Sequence, residues 1–440
     1  MLILSNVSNL YDGTGSGADS LLHGVDLHIE GERIAEVRPH DPALTVGSGH
    51  TLVDASGLTV TPGLIDCHGH ITVLGLDRAS METMGGGQEL LWVERILHTT
   101  LVDGGVTTVR DVGGATHQMK RLVDEGTILG PRLLISICML SSTGGHADFR
   151  GPDRCHGTIS DLWPEGPGRP SSIVDGPWAC RERVRQIAAC GADLIKICAS
   201  PGVASPGDKL EHREFTSDEI AAICDEATAR GLPVAAHAHS ASGLELAINH
   251  GVRDLQHISF MDERLVDLAA DKGCCVTPTS WVVQALPDAA GLSDFVMEKV
   301  RLVAESHASA TAYARAGGLP ILGGTDPVLP GMHGRNGLEL VALMNDGLTA
   351  LEAWHGMTGQ AADQLDLDDT GKLTAGRRAD LLVCSGDVVS NPGALVAEGE
   401  TPGALVEVFK NGRAYRGGLP GVEPDTWAGR LRGQLLRSGC

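Results

Sequence analysis

A repeated unit constrains the fold more than any other feature of the chain. It is a short apolar run that ends in a metal-competent or ionisable residue. The first copy is Gly63-Leu64-Ile65-Asp66-Cys67-His68-Gly69-His70, punctuated by Pro62 and Gly63. His68 and His70 lie two apart, so on a strand they point to the same side. Imidazole is the commonest protein ligand of catalytic transition metals, and Gly69 leaves room beside the two rings. The unit recurs. Residues 193–198 carry Lys196, residues 233–239 end in His237 and His239, residues 252–257 end in His257, and residues 319–326 end in Asp326 after two glycines. A lone His-x-His is a weak signal; later strand ends of matching chemistry make it a strong one.

Residues 1 to 59 read as short strands joined by Gly-, Asp- or Ser-bearing turns, with a hairpin at Ile29-Glu30-Gly31-Glu32. From residue 60 the rhythm becomes strand, loop, helix. Val106 to Asp111 reads as a second strand, 133–138 as a third, 275–278 as a seventh and 319–326 as an eighth. Thr216-Ser217-Asp218-Glu219 and Thr349-Ala350-Leu351-Glu352 are capping boxes. Eight strands alternating with helices predict a (β/α)8 TIM barrel over 60–375. Beyond it, 379–383 and 406–413 return to strand and hairpin, so 1–59 and 376–420 are expected to pair as a small composite β-sandwich domain built from both termini. The loop from about 144 to 177, rich in Gly, Pro and Asp, follows the third strand and is expected to be functional.

The bulk numbers exclude more than they assign. A chain of 440 residues with 42% hydrophobic content can bury a large core. A formal charge of −22 repels phosphate backbones, and 3% aromatic content offers no stacking platform, so nucleic acid is not expected as a partner. No apolar run reaches the ~18 residues that span a bilayer. The N-terminus shows no signal-peptide pattern, and eleven scattered cysteines read as reduced thiols. The expectation is a cytoplasmic enzyme, homo-oligomeric, acting on a small molecule.

With these residues in hand the chain resembles the amidohydrolase superfamily, and within it the Xaa-Pro dipeptidase and carboxypeptidase-like group with its imidazolonepropionase-like relatives. The resemblance spans nearly the whole chain. It rests on the 62–70 run, Lys196, His237, His257, Asp326, the closing Gly376-Arg377-Arg378-Ala379-Asp380-Leu381-Leu382, and on Thr143-Gly144-Gly145-His146 and Gly324-Thr325-Asp326. One departure is Pro201, where a second glycine is expected after Ser200.

The resemblance implies a binuclear site. His68 and His70 would hold one ion with Asp326, and His237 and His257 the other. Lys196 would be N-carboxylated by carbon dioxide and bridge the two. The competing reading of Lys196 is a lysine paired with a buried carboxylate. Spacing alone does not decide between His237 and His239 as ligand; the resemblance favours His237 and turns His239 to substrate. His146, Arg110 and His333 are further substrate-binding candidates. The nitrogen and oxygen ligand set suggests two Zn2+, and cobalt or manganese fit the same residues. The expected reaction is hydrolysis of an amide C–N bond, in a dipeptide or N-acyl amino acid, by a hydroxide shared between the ions, with Asp326 as the proton shuttle. The alternative is a cyclic amidohydrolase or deaminase acting on a heterocycle such as an imidazolone or lactam. A metal-storage or scaffold role is the non-enzymatic reading.

Overall fold

A computed structural model describes residues 1–75, 86–148, 163, 165–204, 208–399 and 401–426. Both ends of that span meet in one eight-stranded sheet. Strands β1 (Leu2–Tyr11), β2 (Leu21–Glu30), β3 (Arg33–Pro39), β4 (Thr51–Asp54) and β5 (Leu58–Pro62) come from the N-terminal part. Strands β14 (Leu381–Ser385), β15 (Leu405–Lys410) and β16 (Arg413–Ala414) come from the C-terminal part, and the order is β16-β15-β14-β5-β1-β2-β3, with β4 also on β1. The join is the antiparallel register Leu381↔Pro62, Leu382↔Thr61 and Val383↔Val60. Alternation is what places the sheet: Leu4, Leu10, Leu27, Val60, Leu381, Val383 and Phe409 share one apolar cluster. Both expected hairpins form. The turn between β15 and β16 is Asn411-Gly412, with φ of 51° and 70°, the pair of left-handed residues that a tight hairpin needs.

Between these ends the chain forms parallel strands alternating with helices. One sheet is β6 (Leu64–Gly69), β7 (Val106–Asp111) and β8 (Arg132–Ile135). A second runs in the order β13-β12-β11-β10-β9, where β9 is Met139–Leu140, β10 Ile195–Cys198, β11 Val234–Ala238, β12 Asp254–His257 and β13 Cys275–Thr277. All of these strands are buried along their length except parts of β8, as parallel strands covered on both faces are. Capping boxes start the helices Ser217–Thr228 and Ala350–Gly356, at the positions their sequences predict. No helix among the described residues is long and apolar enough to cross a membrane.

Two expected strands differ. The third is broken into β8 and β9 at Ile137, whose φ of 70° no extended strand accommodates. The eighth is reduced to a single bridge, Ile321 to Val276. Pro320 has no N–H to give a ladder, and Gly324 is pressed so close to the first strand that a Cβ there would lie 2.6 Å from His68 Cβ. The segment still carries backbone bonds to both sides, Leu322 N to Val276 O at 2.8 Å and Cys67 N to Gly323 O at 3.0 Å. Of the expected 144–177 loop, residues 149–162 and 164 lie outside the described residues.

Candidate metal centre

The strand ends bring together two trios of buried or nearly buried ligand groups. His68, His70 and Asp326 form one, and His237, His239 and His257 the other; within each, the candidate ligand atoms lie within 4.8 Å of one another. The rings interlock across the trios, with His68 and His257 centroids 4.9 Å apart and His237 and His257 4.4 Å apart.

Backbone and carboxylate bonds fix the first trio. Asp326 donates its N–H to His68 O at 2.8 Å and adopts φ 45°, a left-handed conformation that costs about 1–3 kcal/mol in a non-glycine residue. Fully buried Asp66 ties the two segments together. It accepts from His68 N at 3.1 Å, Thr325 N at 3.0 Å, Thr325 Oγ1 at 2.5 Å and Asn336 Nδ2 at 2.8 Å. Trp163 stacks on His70 with centroids 5.3 Å apart and anchors its indole N–H on Thr72 Oγ1 at 2.8 Å.

Hydrogen-bond chemistry fixes the proton positions on two rings. His70 Nδ1 faces the carbonyl of Gly113 at 3.2 Å, and a carbonyl only accepts, so Nδ1 carries the proton and Nε2 a lone pair. His257 Nδ1 meets Thr279 Oγ1 at 2.8 Å; that hydroxyl donates to Pro278 O, so it accepts from His257, whose Nε2 is again bare. Burial holds His70 down to about 3, and His68, His237, His239 and His257 well below the usual imidazole range.

These atoms fit a cation. His70 Nε2 lies 3.4 Å and His68 Nε2 3.5 Å from Asp326 Oδ1. A neutral imidazole lone pair facing a carboxylate is repulsive, and a positive ion between them satisfies both. Buried His237 Nε2 and His68 Nδ1 have no hydrogen-bond partner among the described residues, each a deficit of about 1–3 kcal/mol in bare protein. Burial also pushes the Asp326 carboxyl up to about 7, against the pull of the Lys196 ammonium.

Lys196, on β10, is completely buried. Burial pulls its amine down to about 8. Its Nζ donates to Gln256 Oε1, whose Nε2 donates to Asp254 Oδ2 at 2.9 Å. Its direct partner is therefore an amide, not the carboxylate of the competing reading. Arg110 is also buried. It is ion-paired with Asp254 and donates Nε to Cys67 O at 2.7 Å, so the guanidinium expected near substrate is already neutralised by protein. His146 is half-buried and stacks on His237 at 4.3 Å; Gly202 in the 200–203 loop fits against it so tightly that a Cβ would meet the ring at 2.2 Å. His333 bonds Val73 O at 2.7 Å.

The sequence reading gave no role to Asp66, Gln256, Trp163 or Thr279. Asp66 left a signal, because it lies two before His68 and so shares its face of β6. The others reach the site only through the folded chain.

The residues 59–415 match the amidohydrolase family. The chain is 32% identical over 350 residues to the ochratoxinase of Aspergillus niger, covering 76% of this chain and 70% of that protein. It is 28% identical over 387 residues to the imidazolonepropionase of Paracoccus denitrificans, covering 84% and 89%. Among solved structures, a prolidase complexed with N-methylphosphonate-L-proline superposes with a TM-score of 0.85 at 31% identity, covering 94% of this chain and 99% of that one.

Proposed function

The chain belongs to the amidohydrolase family, and from that premise we propose that its two trios hold a pair of divalent ions for hydrolysis of the amide bond of a dipeptide or N-acyl amino acid. The observation that carries this reading is the facing of the His68 and His70 nitrogens against Asp326 at 3.4–3.5 Å, beside a second cluster of histidine nitrogens. We take 60–375 to be a closed (β/α)8 barrel, supported by the bonds from residues 322–323 to strands on both sides, and the sheet shared by 1–59 and 376–420 to be a separate domain.

In this proposal His68, His70 and Asp326 hold one ion, and His237 and His257 the other. Lys196, whose neutral amine would add to carbon dioxide with release of a proton, would supply a further ligand group between the two trios. When bound, the ions supply Lewis acidity and make a nucleophile from water near neutral pH. Zinc suits the ligand set. Asp326, its carboxyl raised toward neutrality by burial, takes the proton from the attacking water and returns it to the leaving nitrogen. His146, stacked at the edge of the second trio, and His333 line the approach to substrate. Arg110 balances Asp254 beneath the site.

The prolidase likeness favours a linear peptide-like substrate, and the imidazolonepropionase likeness sustains the cyclic alternative. Zinc-loaded protein assayed against X-Pro and other dipeptides, N-acyl amino acids, lactams and imidazolones separates them. Turnover of the linear substrates is expected. Turnover confined to the rings would replace this reading with the cyclic one.

A further inference from the structure

Behind His239 a line of buried polar groups leads away from the site. His239 Nδ1 meets Ser259 Oγ at 2.9 Å, and the same oxygen meets His307 Nδ1 at 3.3 Å. His307 Nε2 faces Asp346 Oδ2 at 3.7 Å, and neither atom has a hydrogen-bond partner among the described residues. None of the four residues is more than 6% exposed. They come from four places: His239 just past β11, Ser259 just past β12, His307 on the helix Asp294–Ala316, and Asp346 at the end of the helix Leu338–Asn345.

Resting on the metal-centre reading above, we propose that Ser259, His307 and Asp346 are positioning residues that hold the ring proton of His239 on Nδ1 and present its Nε2 lone pair to the site. The direction follows from the far end. An ionised carboxylate only accepts, and Asp346 Oδ2 is the polar atom that faces His307 Nε2. His307 therefore turns an Nε2–H toward Asp346. Burial keeps His307 neutral, its pKa down at about 4, so its Nδ1 is an acceptor. Ser259 donates to that Nδ1, and its oxygen must then accept from His239 Nδ1–H. The opposite order would aim a bare His307 nitrogen at an anionic oxygen.

The consequence is chemical. An Nε2 lone pair among His237 and His257 takes an electron-pair acceptor, and repels a carboxylate. His239 therefore meets either the second ion or a substrate N–H group, never the acidic end of a substrate.

Asp346→Asn tests the order without changing volume. Asp346 Oδ1 accepts from Gln284 Nε2 at 3.0 Å, and Gln284 is held in turn by Ala342 O and by Asn345 Nδ2, each at 3.0 Å. The asparagine must keep its oxygen toward Gln284 and turn its NH2 group to His307 Nε2. That nitrogen becomes an acceptor, His307 Nδ1–H donates to Ser259, and Ser259 donates to His239, whose proton moves to Nε2. Histidine ¹⁵N NMR of the full chain stripped of metal, so that no ion occupies Nε2, with His239 assigned by loss of its signal in His239→Gln, reads this directly. Wild type should show Nδ1–H at His239, Asp346→Asn should show Nε2–H, and Ser259→Ala should leave the two forms mixed. A wild-type Nε2–H, or an Nδ1–H unmoved by Asp346→Asn, overturns the proposal. Two further readouts on Asp346→Asn identify the acceptor. A metal affinity weakened about 10–100-fold assigns the ion, and a KM raised by a similar factor at full metal content assigns the substrate N–H. If neither changes, His239 Nε2 meets no acceptor and the proposal fails. A wild type that binds no zinc but shows Nδ1–H would sink the metal-centre reading and leave the relay standing.

Discussion

Two buried polar regions of this molecule end in opposite states. In the terminal sheet, Asp26 is completely buried and fully answered: its carboxylate accepts from Ser5 Oγ and Asn6 N at 2.9 Å, His40 Nδ1 at 2.8 Å and Asp41 N at 3.0 Å. Burial alone would push this carboxyl up; the four donors outweigh it and hold it at about 2. At the ends of the parallel strands, imidazole nitrogens crowd against a carboxylate oxygen instead, and buried His237 Nε2 and His68 Nδ1 have no hydrogen-bond partner among the described residues. A satisfied network is structural cement. A network whose members repel one another is a candidate cation site. The chain places the first kind where its termini meet and the second where its strands end.

Changes in the two regions should therefore move different observables. The largest effect is expected at Lys196. Lys196→Ala should remove the bridging group, lower the metal content toward one ion per chain and abolish most activity, with partial rescue by acetate or propionate. Lys196→Arg should fare no better, because guanidinium stays protonated. Full metal content and rate in either variant would break the carbamate account. Asp326→Asn keeps the shape but cannot take a proton, so kcat should fall by about 10²-fold or more with metal retained. Near-normal turnover of the metal-replete variant would remove Asp326 as the base.

The terminal sheet should answer in stability alone. The depressed Asp26 pKa corresponds to about 2 kcal/mol. The sign follows from the direction: this stability is present above the unfolded carboxyl pKa of about 4 and is lost as pH falls through about 2. Asp26→Asn should lower unfolding stability at neutral pH by a similar amount and leave kcat unchanged, as denaturant titration beside an assay would show. Ser5→Ala, which removes one of the four donors, should cost about 1 kcal/mol. A loss of activity without a loss of stability in either variant would erase the distinction between the regions.

Much of the candidate site was legible because its chemistry recurs at one place in each unit, the C-terminal end of a strand. His68, His70, His237, His257 and Asp326 all announce themselves that way. His237 and His239 could not be ranked, because a period of two gives them the same face. The eighth strand misled, since Pro320 has no N–H to give a ladder and the close approach of Gly324 to His68 leaves only a single bridge, Ile321 to Val276. The break at Ile137 depends on backbone conformation that its side chain does not advertise. His307 and Asp346 lie on helices 50 and more residues from the strand ends they serve, and only the fold brings them there. The terminal sheet was legible in its hairpins and its returning strands, whereas the Asp26 hub draws on Ser5, His40 and Asp41, which no local pattern links.

We propose that the two trios form one binuclear centre. Elemental analysis of the full chain, grown with zinc and freed of loosely held metal, tests it most directly. The account predicts two ions per chain. A clean value of one after reconstitution with excess zinc would contradict it and leave Lys196 with nothing to bridge.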